Sequence, residues 1–468
     1  MAFTGYAFVL FFFGIVLPAR WLLPGVVSAR AAQVTQTVLL VASVVFYLSW
    51  GWKLAILLAV LTLFTYGAGH LLRTRKEGRK GILAASIVVL LGTLATFKYA
   101  VFFSSFIPGV HMTALPLPLG ISFYVFEMIS YVVDVYRGDP GAKSLSEFAL
   151  YVSYFPHLIA GPIVRASELL PQLRTPKRFD SARVSEGMFV MLTGFVKKMV
   201  IADNLAVYAD TIFKAPTTFN SIELAVGVAA YTGQIFCDFS GYTDIARGGS
   251  QMLGFDLPEN FDYPYLSKSI TEFWRRWHMT LSRWLRDYLY IPLGGNRGSE
   301  LATYRNLFLT MTLGGLWHGA RITFVIWGAY HGLLLAAHKL FSAETQSEGW
   351  KRARQHVAYK TVATIGTLLL VMVGWVFFRA LTFADATVVL QRIYRARPVT
   401  GWQPTAVFDT TMWYLLALVA LHAAGGAKLG LRTQRALPPA ARGVMWAGMV
   451  VVLYWFATTS PTFIYFYF

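Results

Sequence analysis

Residues 361–378, TVATIGTLLLVMVGWVFF, form a run of 18 residues without an acidic or basic side chain. A helix needs about 20 mostly apolar residues to cross the hydrocarbon core of a bilayer. With slight extension at their ends, four more uncharged runs reach or approach that length: 34–47, 54–65, 82–97 and 444–456. The pattern therefore predicts a chain that crosses a membrane several times.

The composition of the whole chain indicates the same class. Of the 468 residues, 56% are hydrophobic and only 14% are charged, whereas soluble domains carry about 25% charged residues. We count about ten to twelve apolar segments, some too short to span alone. Residues 7–16 lack a preceding basic residue and a cleavage site, so we expect a retained span there. The sequence predicts an all-α polytopic membrane protein with a single domain over residues 1–468.

The formal net charge is +18, which in a soluble protein would suggest a nucleic-acid partner. In a membrane protein, positive side chains collect in short cytoplasmic loops and orient the spans. Loops 73–80, 351–360 and 432–442 fit that location, so we expect contacts with membrane lipids and none with nucleic acid. The single cysteine, Cys237, excludes internal disulfides and a cysteine metal site, and we interpret it as a small buried hydrophobe.

The middle of the chain, from about residue 114 to 341, differs from its flanks because polar residues interrupt the apolar sequence. Ionisable groups at membrane depth are costly and tend to mark function. Glu127 and Asp134 share one helix face and need basic partners, which we expect from a neighbouring segment. His157 lies in FPHLIAGPIVR, where prolines and glycine predict broken backbone. Alone, it is more typical of a structural histidine.

A polar cluster at residues 234–244, QIFCDFSGYTD, contains Asp238 and Tyr242 between apolar flanks. One interpretation is a binding site for a sugar hydroxyl or a polar head group. The other is a pair of caps for two half-helices, since Ser and Asp are natural caps. The residues alone leave both open.

Residues 269–298, SITEFWRRWHMTLSRWLRDYLYIPLGGNRG, predict an amphipathic helix at a membrane surface. Four residues form an apolar stripe at helical spacing: Trp277, Leu281, Trp284 and Tyr288. His278 lies beside this stripe, and Arg276 and Arg283 fall on a different face. The arginines either contact solvent and lipid phosphate or hold the phosphates of a large anionic donor.

Three histidines lie in residues 313–339, LGGLWHGARITFVIWGAYHGLLLAAHK. His318 and His331 are each preceded by an aromatic residue and followed by glycine, which lets other groups approach. His331 and His338 are spaced to face the same way on a helix. A metal is not expected, because no carboxylate lies near in sequence and the HExxH pattern is absent. His318 is a candidate catalyst.

These motifs resemble the membrane-bound O-acyltransferase family. The resemblance rests on WHG at 317–319 and YHG at 330–332, preceded by EFWRRWHMTLSRWLRDYLYIPLGGNRG at 272–298. Further stretches are similar to the branch that O-acetylates bacterial polysaccharides such as alginate: PLGISFYVFEMISYVVDVYRGD, FPHLIAGPIVR, CDFSGYTDIA and the ending FIYFYF at 463–468. The resemblance covers nearly the whole chain.

The resemblance implies a ring of transmembrane and re-entrant helices around a central tunnel. The family's catalytic histidine matches His318, and its second polar position, 40 residues earlier, matches His278. Members of this branch take an acetyl group from a cytoplasmic donor, acetyl-CoA, and pass it outward to a secreted polysaccharide. The implied location is the bacterial inner membrane, and the implied partners are periplasmic acetyltransferase proteins and the polysaccharide export machinery. Acetyl-CoA is then a substrate, and no cofactor is expected.

The chemistry of these residue types fits the implied reaction. Acetyl transfer from a thioester to a hydroxyl needs a general base, and histidine suits that role near neutral pH. On this hypothesis His318 is the base, while His278 stabilises the oxyanion or positions the donor. Three arginines would hold the donor phosphates: Arg275, Arg276 and Arg283. Four further residues are predicted to line the substrate site: Trp317, Asp238, Tyr242 and His331.

Three alternatives remain from the sequence. One is transfer of D-alanine or another acyl group from a carrier-protein thioester to a cell-envelope polymer. Another is a proton-coupled transporter, because many spans with buried ionisable residues and broken helices are typical of that class. A scaffold that only anchors an acetylation complex would leave the buried histidines without a role.

Overall fold

A computed structural model describes residues 1–26, 31–110, 112–113, 115–396, 403–458 and 463 of the chain. Within these ranges the regular secondary structure is helical. Of the motif at 463–468, only Phe463 is described.

Eight helices of the described residues are long and apolar enough to cross a membrane. They are Tyr6–Leu23, Ala31–Leu48, Trp52–Thr74, Arg79–Ser104, Ile322–Glu344, Val357–Arg379, Ala406–Gly426 and Pro439–Phe456. At most 33% of the apolar window of any of them is buried, so the rest of that surface faces outward, as lipid contact requires. The predicted all-α polytopic class is confirmed. The number of spans that meet these criteria is lower than expected, because several apolar segments of the middle region form shorter or more polar helices.

Contacts along the chain divide it into two units, Met1–Phe195 with Tyr242–Pro258 and Val196–Gly241 with Glu259–Phe468. The single domain inferred from the sequence stays a prediction. The first unit contains the helical segments Tyr6–Val9, Leu10–Val16, Leu17–Val26, Ala31–Leu48, Trp52–Thr74, Arg79–Leu94, Ala95–Tyr99, Ala100–Ser104, Ile121–Arg137, Leu145–Ser153, Phe155–Leu158, Ala166–Arg174 and Ser181–Phe195.

The polar residues of the first unit form a buried pair. His157 Nδ1 lies 3.1 Å from a carboxylate oxygen of Glu127, which also accepts the Val164 N–H at 3.0 Å. His157 Nε2 lies 3.0 Å from the carbonyl oxygen of Tyr151. His157 is thus the expected partner of Glu127 and has the buried, hydrogen-bonded setting of a structural histidine. Asp134 lies 3.9 Å from Arg137 of its own helix, and a partner for it from another segment stays a prediction.

The second unit contains the helical segments Val196–Ala202, Asp203–Lys214, the first part of Ser221–Met252, Pro264–Leu266, Ile270–Arg276, Met279–Leu285, Arg286–Tyr290, Glu300–His318, Ile322–Glu344, Glu348–Gln355, Val357–Arg379, Phe383–Arg395, Ala406–Gly426, Leu429–Ala436 and Pro439–Phe456. The Ser299 hydroxyl caps Glu300–His318 by accepting the Ala302 N–H at 3.2 Å.

Two helices of the second unit, Glu300–His318 and Ile322–Glu344, pack with their backbones in direct contact. A Cβ atom on Gly328 would overlap the carbonyl oxygen of Met311, and one on Gly315 would overlap that of Phe324. Small residues at such a crossing allow close helix packing inside a membrane. This contact fixes the position of His318, the last residue of the first of these helices.

Replacement of Gly328 by alanine tests this contact. The added methyl group has no space, and overpacking of this kind costs about 1–3 kcal/mol. We expect the melting temperature of the purified protein, followed by tryptophan fluorescence, to fall by several degrees.

Gly366→Ala is the matched control, because a Cβ atom at this position in Val357–Arg379 meets no atom within 4 Å. That variant should melt at or above the wild-type temperature, since alanine favours a helix over glycine. Equal effects of the two substitutions would contradict the packing argument.

Candidate active site

The segment with RRWH does not form the single amphipathic helix that the sequence predicted. One helix, Ile270–Arg276, ends before Trp277, and another, Met279–Leu285, begins after His278. His278 itself has φ 42° and ψ 53°, the left-handed conformation that is uncommon for a residue with a side chain. Three of the four residues of the predicted apolar stripe are buried: Trp277, Leu281 and Trp284.

Asn260 holds this turn in place. Its backbone carbonyl accepts the Met279 N–H at 2.9 Å. Its side-chain oxygen accepts the Thr280 N–H at 3.2 Å and the Thr280 hydroxyl at 2.9 Å. Asn260 was not predicted from the sequence, because no hydrophobic or helical spacing marks it and its partners are about 20 residues away. The one feature of the sequence that could have indicated a role for Asn260 is its position among aromatic residues in PENFDYPY.

His318 ends the helix Glu300–His318, and Gly319 continues in extended conformation. A Cβ atom at Gly319 would overlap the ring of Phe324, so a larger residue would displace the chain directly after His318. This explains why glycine follows histidine in WHG.

The turn and the helix end bring the two predicted catalytic histidines together. The ring centroids of His278 and His318 are 6.3 Å apart, and the two residues are 0% and 3% exposed. Aromatic rings surround them. Phe239 packs 4.7 Å from His278, and His318 has three aromatic neighbours at 5.0–5.2 Å: Trp317, Trp327 and Phe378.

His278 is a neutral imidazole in this setting. Burial lowers its pKa to about 3, so the ring stays uncharged at physiological pH. Neither ring nitrogen has a hydrogen-bond partner among the described residues. A neutral imidazole offers one N–H donor and one acceptor nitrogen. His278 can therefore donate to a substrate oxygen without carrying a charge.

His331 supports the aromatic neighbours of the pair. Its Nδ1 accepts the indole N–H of Trp274 at 3.4 Å, and its ring packs 5.0 Å from Trp327. A Cβ atom on Gly374 would lie 2.7 Å from Nε2, so that position leaves no room for a larger residue. His338 hydrogen-bonds Thr271 at 2.9 Å, so both histidines face Ile270–Arg276, in agreement with their spacing.

The three predicted phosphate-binding arginines differ in their surroundings. Arg275 is exposed and forms no ion pair with any described residue. Arg276 pairs with Glu272 at 2.8 Å. Arg283 is half-buried on Met279–Leu285. Their role in donor binding stays a prediction, and Arg275 has the guanidinium most open to an incoming anion.

The polar cluster at 234–244 lies within one continuous helix, Ser221–Met252, so the interpretation as caps of two half-helices is wrong. Asp238 forms a 2.5 Å ion pair with Lys198, which also binds Asp203 at 2.6 Å; all three are buried. Tyr242 is buried in the first unit, with its ring 5.8 Å from that of Phe3. Substrate binding by Asp238 and Tyr242 stays a prediction.

The described residues thus form a multi-pass membrane protein, in which RWH and WHG contribute a buried pair of histidines. Residues 44–380 match the model of the membrane-bound O-acyltransferase family. The chain belongs to this family. The predicted family, which is one of O-acyltransferases, is thereby confirmed.

Several characterised or named bacterial proteins are similar to the chain. A probable alginate O-acetylase of Pseudomonas aeruginosa is 46% identical over 78% of this chain and 70% of its own length. A peptidoglycan O-acetyltransferase of Helicobacter pylori is 38% identical over 75% of this chain and 72% of its own length. A teichoic acid D-alanyltransferase of Bacillus subtilis is 28% identical over 50% of this chain and 61% of its own length. The chain spans 66% of the length of the probable alginate O-acetylases of Pseudomonas syringae and Pseudomonas fluorescens.

The burial of neutral His278 predicts a pH dependence of stability. Its pKa is 6.5 when unperturbed and about 3 in the fold, so below about pH 6.5 the unfolded chain binds a proton that the folded chain does not. This contribution to stability is present above that pH and is lost as the pH falls. Asparagine tolerates the left-handed backbone. The melting temperature of His278→Asn should therefore fall less than that of wild type between pH 7 and pH 5.

His70→Asn is the control, because His70 is exposed. Its melting temperature should follow the wild-type pH dependence. If His278→Asn also follows it, His278 is not a buried neutral base in the folded protein.

Proposed function

We propose that this protein is a membrane O-acetyltransferase that takes an acetyl group from a cytoplasmic thioester, acetyl-CoA, for the O-acetylation of a secreted polysaccharide such as alginate. The observation that carries the proposal is the buried pair His278 and His318, with ring centroids 6.3 Å apart. The pair lies in a chain that is 45–47% identical to several probable alginate O-acetylases.

In the proposed reaction, a nitrogen of His318 takes the proton of an acceptor hydroxyl. The hydroxyl oxygen then attacks the acetyl carbonyl carbon, and a C–O bond forms. The carbonyl oxygen gains negative charge, which the N–H of neutral His278 stabilises. The C–S bond breaks, and the departing thiolate takes the proton back from His318. The aromatic surroundings keep water from competing for the acetyl group.

Donor binding is the proposed role of the basic residues next to the RWH turn. Arginine binds phosphate through a fork of N–H donors. Arg275 is exposed three residues before His278 and has no carboxylate partner among the described residues. It therefore suits the phosphates of coenzyme A better than Arg276, whose charge is already paired with Glu272.

The same relatives support the proposed acceptor. We infer the bacterial inner membrane as the location, with periplasmic acetyltransferase proteins and the polysaccharide export machinery as partners. The similarity to a peptidoglycan O-acetyltransferase supports a second acceptor, the sugar of peptidoglycan. The D-alanyltransferase relatives are 27–28% identical over a smaller part of the chain, which favours acetyl over D-alanyl transfer.

The test is release of free CoA from radiolabelled acetyl-CoA by purified protein, with and without membranes that contain the polysaccharide machinery. His318→Ala should lower turnover by about 10²–10⁴-fold, the usual contribution of a general base. Label should appear in the polymer only with the wild-type protein.

His422→Asn is a suitable control, because His422 is also buried but bonds to the Leu418 carbonyl oxygen within its own helix. This variant should retain turnover. If wild type releases no CoA with the machinery present and yet transfers the acyl group from an acylated carrier protein, the donor is a carrier-protein thioester instead of acetyl-CoA. No transfer from either donor would refute the proposed function.

A further inference from the structure

Asn260 has a buried donor group that the turn at His278 does not use. The residue is 1% exposed. No acceptor in the described parts of the chain reaches its side-chain Nδ2. A buried amide donor without a partner is destabilising, and such groups are few in folded proteins. This donor therefore calls for an explanation.

The orientation of the amide is fixed by chemistry. The atom that faces Thr280 receives the backbone N–H of Thr280, and an N–H can only donate. That atom must be Oδ1. Nδ2 is consequently the opposite end of the amide, and exchange of the two ends would place two donors face to face.

The residue with the unused donor is bound to the turn that carries His278. Asn260 bonds the two residues after His278, and the ring of Phe261, the next residue, stacks 6.4 Å from the His278 ring. His278 also has two ring nitrogens without a partner among the described residues. Two buried side chains with unused hydrogen-bonding groups thus belong to one turn, and the His318 ring lies 6.3 Å from the His278 ring.

We propose that Asn260 is a further catalytic residue, whose Nδ2 donates a hydrogen bond to the carbonyl oxygen of the acyl thioester. This inference rests on the proposed acyl transfer. As the acceptor oxygen attacks the carbonyl carbon, the carbonyl oxygen becomes an oxyanion held by the amide N–H and by His278. When the C–S bond breaks, the carbonyl reforms and the thiolate leaves with the proton from His318. The amide loses no proton in any step.

Asn260→Asp separates the donor from the structural role of the residue. Aspartate keeps an oxygen toward Thr280 but has no N–H. Loss of one oxyanion donor lowers kcat by about 10²–10³-fold. The donor KM should change little, because the hydrogen bond strengthens as charge develops on the oxygen.

The pH dependence of kcat distinguishes a catalytic role of Asn260 from a merely structural one. A protonated carboxyl group regains an O–H donor, and burial favours that form. The ratio of Asn260→Asp to wild-type kcat should therefore rise as the pH falls. Division by the wild-type kcat at each pH removes the pH dependence that the two proteins share.

Asn306→Asp is the matched control. Asn306 is also 1% exposed, and its Nδ2 donates to the Gly295 carbonyl oxygen at 3.1 Å. This variant should melt at a lower temperature and retain kcat, with a ratio to wild type that does not depend on pH.

The outcomes separate the two proposals. If wild type transfers acetyl and Asn260→Asp equals it at every pH, the role of Asn260 is refuted and the proposed function stands. A loss of kcat that does not vary with pH, accompanied by a lower melting temperature, also refutes it and leaves Asn260 as a structural residue. Absence of transfer by wild type from acetyl-CoA and from an acylated carrier protein refutes both.

Discussion

The hydrogen bonds from Met279 and Thr280 to Asn260 hold His278 in a left-handed backbone conformation. Such a conformation costs about 1–3 kcal/mol for a residue with a side chain. Each hydrogen bond stabilises the fold by about 1 kcal/mol, and burial of the flanking aromatic rings adds further stabilisation. The turn interrupts a helix where the sequence would otherwise continue it. The interruption places an imidazole, instead of the outer face of a helix, against His318.

The second element of the site depends on close helix packing. Gly315 and Gly328 let the helices Glu300–His318 and Ile322–Glu344 approach until their backbones touch. His318 stands at the end of the first helix, and Trp327 of the second packs 5.1 Å from its ring. In such a buried, aromatic setting electrostatic interactions are stronger than in water. On the proposed mechanism, His278 as donor and His318 as base act on a substrate whose charge appears only during the reaction.

The sequence predicted the class of fold and singled out two histidines that lie close together in the structure, for physical reasons. Long uncharged runs such as 361–378 have few alternatives to spanning helices, and WHG and RWH are dense local motifs. The break at His278 was not predicted, because the stripe from Trp277 to Tyr288 keeps helical spacing across it. Neither was Asn260, because its role comes from hydrogen bonds to a distant segment. The helix through Asp238 was misjudged as a possible break, since Lys198, which neutralises this aspartate, is 40 residues away in the sequence.

The most direct test is a cryo-electron microscopy structure of the full-length protein in lipid nanodiscs with bound acetyl-CoA. We expect the acetyl carbonyl carbon between His278 and His318, with its oxygen within hydrogen-bonding distance, about 2.7–3.1 Å, of a donor from Asn260 or His278. A thioester bound elsewhere, with its carbonyl oxygen facing neither residue, would refute the proposed site.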